Sequence, residues 1–403
     1  MLQLALKKKN SINLLFKDLD KKDAHAPGEK VKLLILRDLL RLDWKINFGD
    51  NKIIVAPPKN YDKETIRRSM SHKRKESINN NAKWIEKNLE FARNNLANGE
   101  DVLKSKIKPV IEVCETPKQH ALFKMYRYYW SSAHSEYVGR RIKLIIRDAG
   151  LPRKPVIGIA ALGSSIIHIP DRDNWIGWDK YQRTKNLIYA MDAYVIGALP
   201  PYNHLLGGKL VSYILASEEV RKIYEKKYKD KITLIEKKKA NDLVCIFTTS
   251  LYGKSAQYDR IKYKSKLLYV PIGETRGFGT LHLSGETLNA MHELLRSKNI
   301  SVTNKFGDGP SWSMRVIRTV GDILGFDSDF LLKHSFKRGI YAVPLASNYQ
   351  NFLNGKDKTP KYYKRSLENV VSFWKTRWFK KRKLNPEVVQ KVMSFRTNDF
   401  KIE

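Results

Sequence analysis

Two carboxylates, Asp171 and Asp173, bracket Arg172 in the stretch DRDNWIGWDK at 171–180, and Trp175 and Trp178 follow three residues apart. With Glu274 supplied from a distant strand end, these acids form a set that could hold a divalent ion such as magnesium for phosphodiester cleavage. Their spacing is not that of a PD-(D/E)xK nuclease core. His204, Arg276 and His282 would assist such chemistry or serve as hydrogen-bonded structural groups. The competing reading is architectural. The tryptophans would pack against a sheet, Ile176 and Gly177 would allow the bend between them, and Asp173 would cap the helix that carries Arg183. A buried Asp–Arg pair would then fix that helix.

A second constellation is PPYNHLLGGKL at 200–210. Its residues Asn203, Gly207, Gly208 and Lys209 lie between an apolar strand pattern and a helical one. Consecutive glycines there would turn backbone amides towards an anion or phosphate at the helix N-terminus. It is not a Walker A loop, because Asn203 replaces the first glycine and a leucine follows Lys209. The order of strand, glycine turn and helix is nearer the pyrophosphate loop of GNAT-superfamily acetyltransferases. That resemblance implies a GNAT-like core and puts Tyr258 in the place of the superfamily's frequent general acid. The loop departs from it by ending in lysine. The bland alternative is a plain tight turn.

The third constellation is basic and aromatic. KYYKRSLENVVSFWKTRWFKKRK at 361–383 holds nine Lys or Arg, one Glu and six aromatics. Cations neutralise phosphates and rings stack on bases, so the candidate nucleic-acid residues are Trp374, Lys375, Arg377, Trp378, Lys380, Lys381, Arg382 and Lys383. Arg67, Arg68, Lys73, Arg74 and Lys75 in RRSMSHKRKES form a second patch, and Arg183 a further candidate. The same pattern also suits an amphipathic helix whose aromatics dock inward. The chain of 403 residues has a formal net charge of +35, which directs it to a polyanion, with DNA the first candidate.

These residues need elements to position them. Apolar positions at helical spacing span 29–44, and a short strand follows at 51–58. A polar helical stretch runs over 61–96. Strands are expected at 107–115, 141–148, 156–169, 193–199, 243–250 and 267–275, with a helix capped by Thr116 after the first and a short helix at 255–261. The alternation predicts an α/β fold with a mixed sheet. Three segments are expected: a basic helix-and-hairpin module with a linker helix over 1–104, a mixed α/β core over 105–285, and a helical basic-aromatic region over 286–403. Cys114 and Cys245 form no metal-binding pair and are expected to pack as small hydrophobes. With no apolar run of about 20 residues and no secretory leader, a cytoplasmic protein that does not bind membranes is expected.

Several blocks taken together, RDNWIGW with Arg183 and Asn186, LPPYNHLLGGKL, TTSLYGKSAQYDR, IGETRGFGT and RGIYAVPLASN, resemble the Druantia anti-phage defence protein A (DruA) family. The resemblance runs from about residue 30 to 380. It implies a component of a bacterial multi-gene defence locus with a large helicase-like partner.

Overall fold

A computed structural model describes residues 26–49, 52–59, 61–132, 139–232, 237–302 and 312–402. The chain packs as two compact units, each discontinuous in sequence. One comprises Met1–Ser77, Ser131–Ala133 and Arg276–Lys337; the other comprises Ile78–Trp130, His134–Thr275 and Arg338–Glu403. The boundaries expected at 104 and 285 do not coincide with this division. Composition follows the chain in order, whereas each core is assembled from distant segments.

In the first unit the helix Pro27–Leu40 buries Leu33, Leu34, Ile35 and Leu36, and proline stands in its first turn, where a missing N–H costs nothing. An antiparallel hairpin follows, β1 (Lys45–Phe48) with β2 (Ile53–Ala56). The expected helix and hairpin are thus present. The helix Gly285–Ser297 joins them from far along the chain. Buried Asp38 accepts from the Ser284 N–H at 2.7 Å and the Thr287 hydroxyl at 2.6 Å, which ties the start of that helix to the first one. Ile53 bonds Gly325 and Asp327 through its backbone, so β2 also gathers the segment after Trp312–Ile323.

The second unit is built on a seven-stranded sheet. Its strands are β3 (Pro109–Val113), β4 (Arg141–Asp148), β5 (Val156–Ser164), β6 (Ala190–Ala198) and β7 (Cys245–Ser250), joined after a separate two-residue hairpin of β8 (Lys262–Tyr263) and β9 (Lys266–Leu267) by β10 (Val270–Glu274) and β11 (Gly339–Pro344). The order is β10-β11-β7-β6-β5-β4-β3, and every neighbouring pair is antiparallel except β6 with β7. Helices cover both faces, which is why β5 reads as the unbroken run VIGIAAL rather than as an alternating one. In β4 the alternation survives as a choice of core. Ile142, Leu144 and Ile146 join the cluster under the helices Gly207–Leu215 and Glu218–Tyr228, whereas Ile145 joins the one under Pro117–Tyr128.

The single parallel pairing is short. Only Ala190–Asp192 match Cys245–Phe247 in the ladder, and one residue further on the Thr248 hydroxyl donates to the Ala193 carbonyl at 2.8 Å. Tyr194 is an extra residue in β6, since Ala161 pairs with Val195 and Leu162 with Ala193. Such a bulge bends its strand.

Three local expectations are corrected. The region 286–403 is not wholly helical: Gly339–Pro344 inserts as β11 between β7 and β10, because its apolar run is buried from Gly339 to Val343. The stretch 61–96 breaks at Asn80–Asn81 into the helices Lys63–Asn79 and Ala82–Asn94. Residues 255–261 form turns, with Tyr258 and Asp259 both bonding back to the Ser255 carbonyl. The cap on Pro117–Tyr128 is as expected: Thr116 and Gln119 form a reciprocal capping box.

Candidate functional site

The DRDNWIGW stretch is a short helix, Pro170–Ile176, closed by Gly177 at φ +78°, a left-handed turn in which glycine is unstrained. The next helix, Lys180–Asn186, is capped by Asp179 through a box with Gln182. Asp173 is therefore not that cap. Instead it is the centre of a buried polar cluster. Its Oδ1 accepts from Arg172 Nε at 2.9 Å, Arg172 Nη2 at 2.7 Å and Trp178 Nε1 at 3.0 Å. Its Oδ2 lies 3.1 Å from Arg183 Nη1 and 2.9 Å from His168 Nδ1. Arg172 is fully buried and also donates to the Ile166 and Ile167 carbonyls at 2.6 and 3.0 Å.

The carboxyl pKa of Asp173 is lowered. Burial, the largest single influence, pushes it up, but the charge and hydrogen bonds of Arg172, with those of Trp178 and His168, together outweigh it. Trp178 is buried, and Trp175 stacks on Tyr349 at 4.9 Å and meets Phe247 edge-on. The tryptophans thus fasten the helix to the sheet while the acid holds both arginines.

His168 was missed in the sequence, where only its place five residues before Asp173 could have signalled it. Its side chain is 58% exposed while its Nδ1 faces the buried cluster. His168 Nδ1 lies 2.9 Å from Asp173 Oδ2 and 2.8 Å from Arg183 Nη1: with a proton it donates to the carboxylate, and without one it accepts from the guanidinium, so the tautomer selects which of the two it bonds.

The proposed metal ligands do not converge in a fitting way. Asp171 accepts the backbone N–H of Glu274 at 2.9 Å, so it meets the peptide at that position. Gly273 makes this approach possible, since a Cβ there would fall 2.1 Å from Asp171 Oδ2. Asp173 is enclosed by two guanidinium groups, which repel a divalent cation. Among the described residues no three His, Cys, Asp or Glu side chains gather as a metal site requires. The donor set does not fit magnesium. Of the residues expected to assist, His282 is buried against Trp44 and His334 in the first unit, His204 follows β6, and Arg276 stands two residues after Glu274 at the end of β10.

The glycine turn does begin a helix, Gly207–Leu215, but protein groups already surround it. A Cβ on Gly207 would meet the Tyr202 carbonyl and Ala198, so this glycine serves close packing. The Gln257 amide lies beside Gly208 and bonds its carbonyl, Ser212 and the Ile196 carbonyl, which bridges β6 to the helix. The Lys209 ammonium donates to the carbonyls of Ala256 and Gln257 and sits 4.6 Å over the Trp378 ring. Burial and the nearby Arg260 pull its pKa to about 8. Asn203 accepts the His204 N–H.

The basic run divides in two. Trp374 is 1% exposed, stacks on Phe379 and donates to the Leu206 carbonyl, so its ring belongs to the core. Trp378 is half-buried against Tyr213. Lys375, Arg382 and Lys383 donate to the carbonyls of Lys106, His204 and Leu103. Arg377, Lys380 and Lys381 are exposed on a helical stretch that widens to a π-helix over Lys375–Phe379. The N-terminal patch belongs to the other unit. There Arg67, Arg68 and Lys75 are exposed, Arg74 is half-buried, Arg68 lies 3.6 Å from Asp43, and Lys73 bonds the Thr280 carbonyl. Among the described residues no helix is long and apolar enough to cross a membrane.

Comparison with known proteins adds a family. The model of the family described as Druantia protein DruA matches residues 60–355. The chain is 34% identical over 331 residues to the Druantia protein DruA of Escherichia coli (strain UMEA 4076-1), an alignment covering 81% of each chain. No solved structure matches it.

Proposed function

The chain belongs to the DruA family, which makes it a component of Druantia anti-phage defence, and from that premise we propose that it is the subunit that engages DNA. One observation carries the reading: a net charge of +35 that includes Arg377, Lys380 and Lys381 exposed side by side in one helical run. Cations placed this way contact phosphates without reading bases. The subunit would work beside other proteins of its locus, a helicase-like one among them. Anisotropy titrations on duplex DNA across a salt series test this. If roughly six phosphates are met, log affinity falls against log salt with a slope of about −5. Arg377→Glu with Lys380→Glu and Lys381→Glu should weaken all sequences alike and flatten the slope. Affinity indifferent to salt, or unchanged in the triple variant, would overturn the reading.

We infer further that the core unit is kin to the GNAT fold. The support is the short parallel β6–β7 pairing, the bulge at Tyr194 and the helix that starts at Gly207. Acyl transfer does not follow from this kinship. Tyr258 is buried and stacked on Tyr269, and burial pushes its phenol up to about 12. The Gln257 and Lys209 contacts fill the ground a pyrophosphate would need.

A further inference from the structure

In the core unit the outer side of the basic helical run carries a pattern. Arg377, Lys380, Lys381 and Leu384 follow the spacing i, i+3, i+4 and i+7, and Leu384 keeps helical backbone angles, so the four form one stripe along the helix. All four are exposed, and Leu384 is 81% exposed, the most of any large hydrophobic side chain among the described residues. The other side is spent on the core, where Trp374 stacks on Phe379 and the Trp378 indole N–H meets the Tyr213 hydroxyl.

A lone exposed leucine is ordinary on a protein surface. This one differs in its company and in how firmly it is held. Lys375 and Lys383 donate to the carbonyls of Lys106 and Leu103, both at 2.7 Å, which lays the helix antiparallel along the segment 103–106. Arg382 adds the His204 carbonyl at 3.0 Å. Asn385 comes next and caps the helix Pro386–Met393 by accepting the Val388 N–H at 3.1 Å, with Pro386 fixing its first turn. Leu384 is thus held outward at a corner between two anchored helices, and a side chain presented this rigidly loses little freedom on binding. Glu387, the nearest acid in sequence, lies in the first turn of the second helix and complements its dipole there.

Beside the basic helix, Lys104, Lys106 and Lys108 are exposed while Ser105 and Ile107 between them are buried. The leucine therefore stands at the end of one row of cations with a second row alongside. An apolar pocket on a protein would answer the leucine and not the cations. Duplex DNA answers both, since its phosphates neutralise the rows and its base stack offers an apolar slot.

We propose that Leu384 is a wedge that enters a base step from the minor groove, unstacks it and kinks the duplex. Arg377, Lys380 and Lys381 hold phosphates beside the step, and the lysines at 104–108 take up the strand that the bend brings in. Apolar wedges of this kind bend DNA by about 20–90°. The proposal rests on the DNA reading above and adds what the contact does to the DNA.

The experiment uses the full chain and a short duplex with aminopurine, a base analogue that brightens when unstacked, in a single TA step, where unstacking is easiest. Dyes on the two ends report bending by energy transfer. Wild-type protein should raise aminopurine fluorescence and energy transfer together. Leu384→Ala should lose both signals, keep the salt slope and bind roughly ten-fold more weakly, the order expected for burying one leucine. Leu384→Met, still long and apolar, should keep both signals. The side chain lies on the surface, so neither change threatens the fold, and thermal melting checks this. A duplex bound with the expected salt slope but neither unstacked nor bent, or one bent equally by Leu384→Ala, overturns the wedge, leaves the DNA reading standing and assigns the leucine to a protein contact. A duplex that wild-type protein does not bind at all overturns both.

Discussion

Arg172 and Asp173 are neighbours in sequence and also partners in space: the guanidinium of one grips the carboxylate of the other through Nε at 2.9 Å and Nη2 at 2.7 Å, with the arginine wholly buried. The same guanidinium satisfies two backbone carbonyls, of Ile166 and Ile167. Removing it leaves a buried acid short of a partner and strips those carbonyls of theirs. Arg172→Met should therefore destabilise the core unit by about 3–5 kcal/mol, the cost of breaking a buried pair from one side. Adding Asp173→Leu should restore part of that loss, because the uncompensated acid is gone. Urea denaturation of the three variants reads the result, and a double variant as damaged as the sum of the singles would contradict it.

The same carboxylate carries a pH signature. Its pKa in the folded chain is lowered, so folding favours the ionised form. The stability it contributes is complete above the ordinary aspartate value of about 3.9 and is lost as pH falls through the lower folded value. Asp173→Asn should be less stable at neutral pH and show a shallower acid limb than wild type. Denaturation midpoints between pH about 2 and 6 test this, and parallel limbs would remove Asp173 from the account.

Much of this unit was legible in the chain. The runs RIKLIIRD and VIGIAAL are apolar because strands covered on both faces need no polar side. The Gly207–Gly208 turn fell where strand and helix patterns met, and Thr116 announced its cap. What escaped is what distance in sequence conceals. The GIYAV run of β11 pairs with strands 65 or more positions away, and its basic, helical surroundings hid it. The partners of Asp173 are local, yet its role as a hub rather than a cap depends on a fold that brings His168 and Arg183 to one point.

Lys209 tests whether the glycine turn is an anion site or a packed corner. Its pKa is pulled from 10.5 to about 8, chiefly by burial, so the folded chain gives up this proton more readily than the unfolded one. Between these values the unfolded state binds more protons, and stability rises with pH; below about 8 both states are charged and the slope vanishes. Lys209→Met should lose that rise while keeping every other alkaline dependence. Comparing stability of the two proteins from neutral pH to pH about 10 isolates the difference. Identical curves would mean that the ammonium is solvated and free to meet a phosphate.

The last prediction separates the tryptophans of the basic run from its charges. A ring that stacks on bases adds roughly 1–3 kcal/mol per base to single-strand affinity. Trp374 cannot supply this, since it is buried against Phe379 and its indole N–H is spent on the Leu206 carbonyl. Trp374→Ala should instead cost about 3–5 kcal/mol of stability as a core truncation. Trp374→Phe keeps most of the packing and gives up the hydrogen bond, so it should fold and bind single and double strands in the wild-type ratio. Trp378 is only half-buried, with Lys209 on its ring and its N–H on Tyr213, so even there stacking must displace an existing contact. Anisotropy titrations with matched single and double strands decide the matter. If folded Trp374→Phe lost single-strand affinity alone, the ring would have to leave the core to reach DNA, and its role here as a packing residue would be wrong.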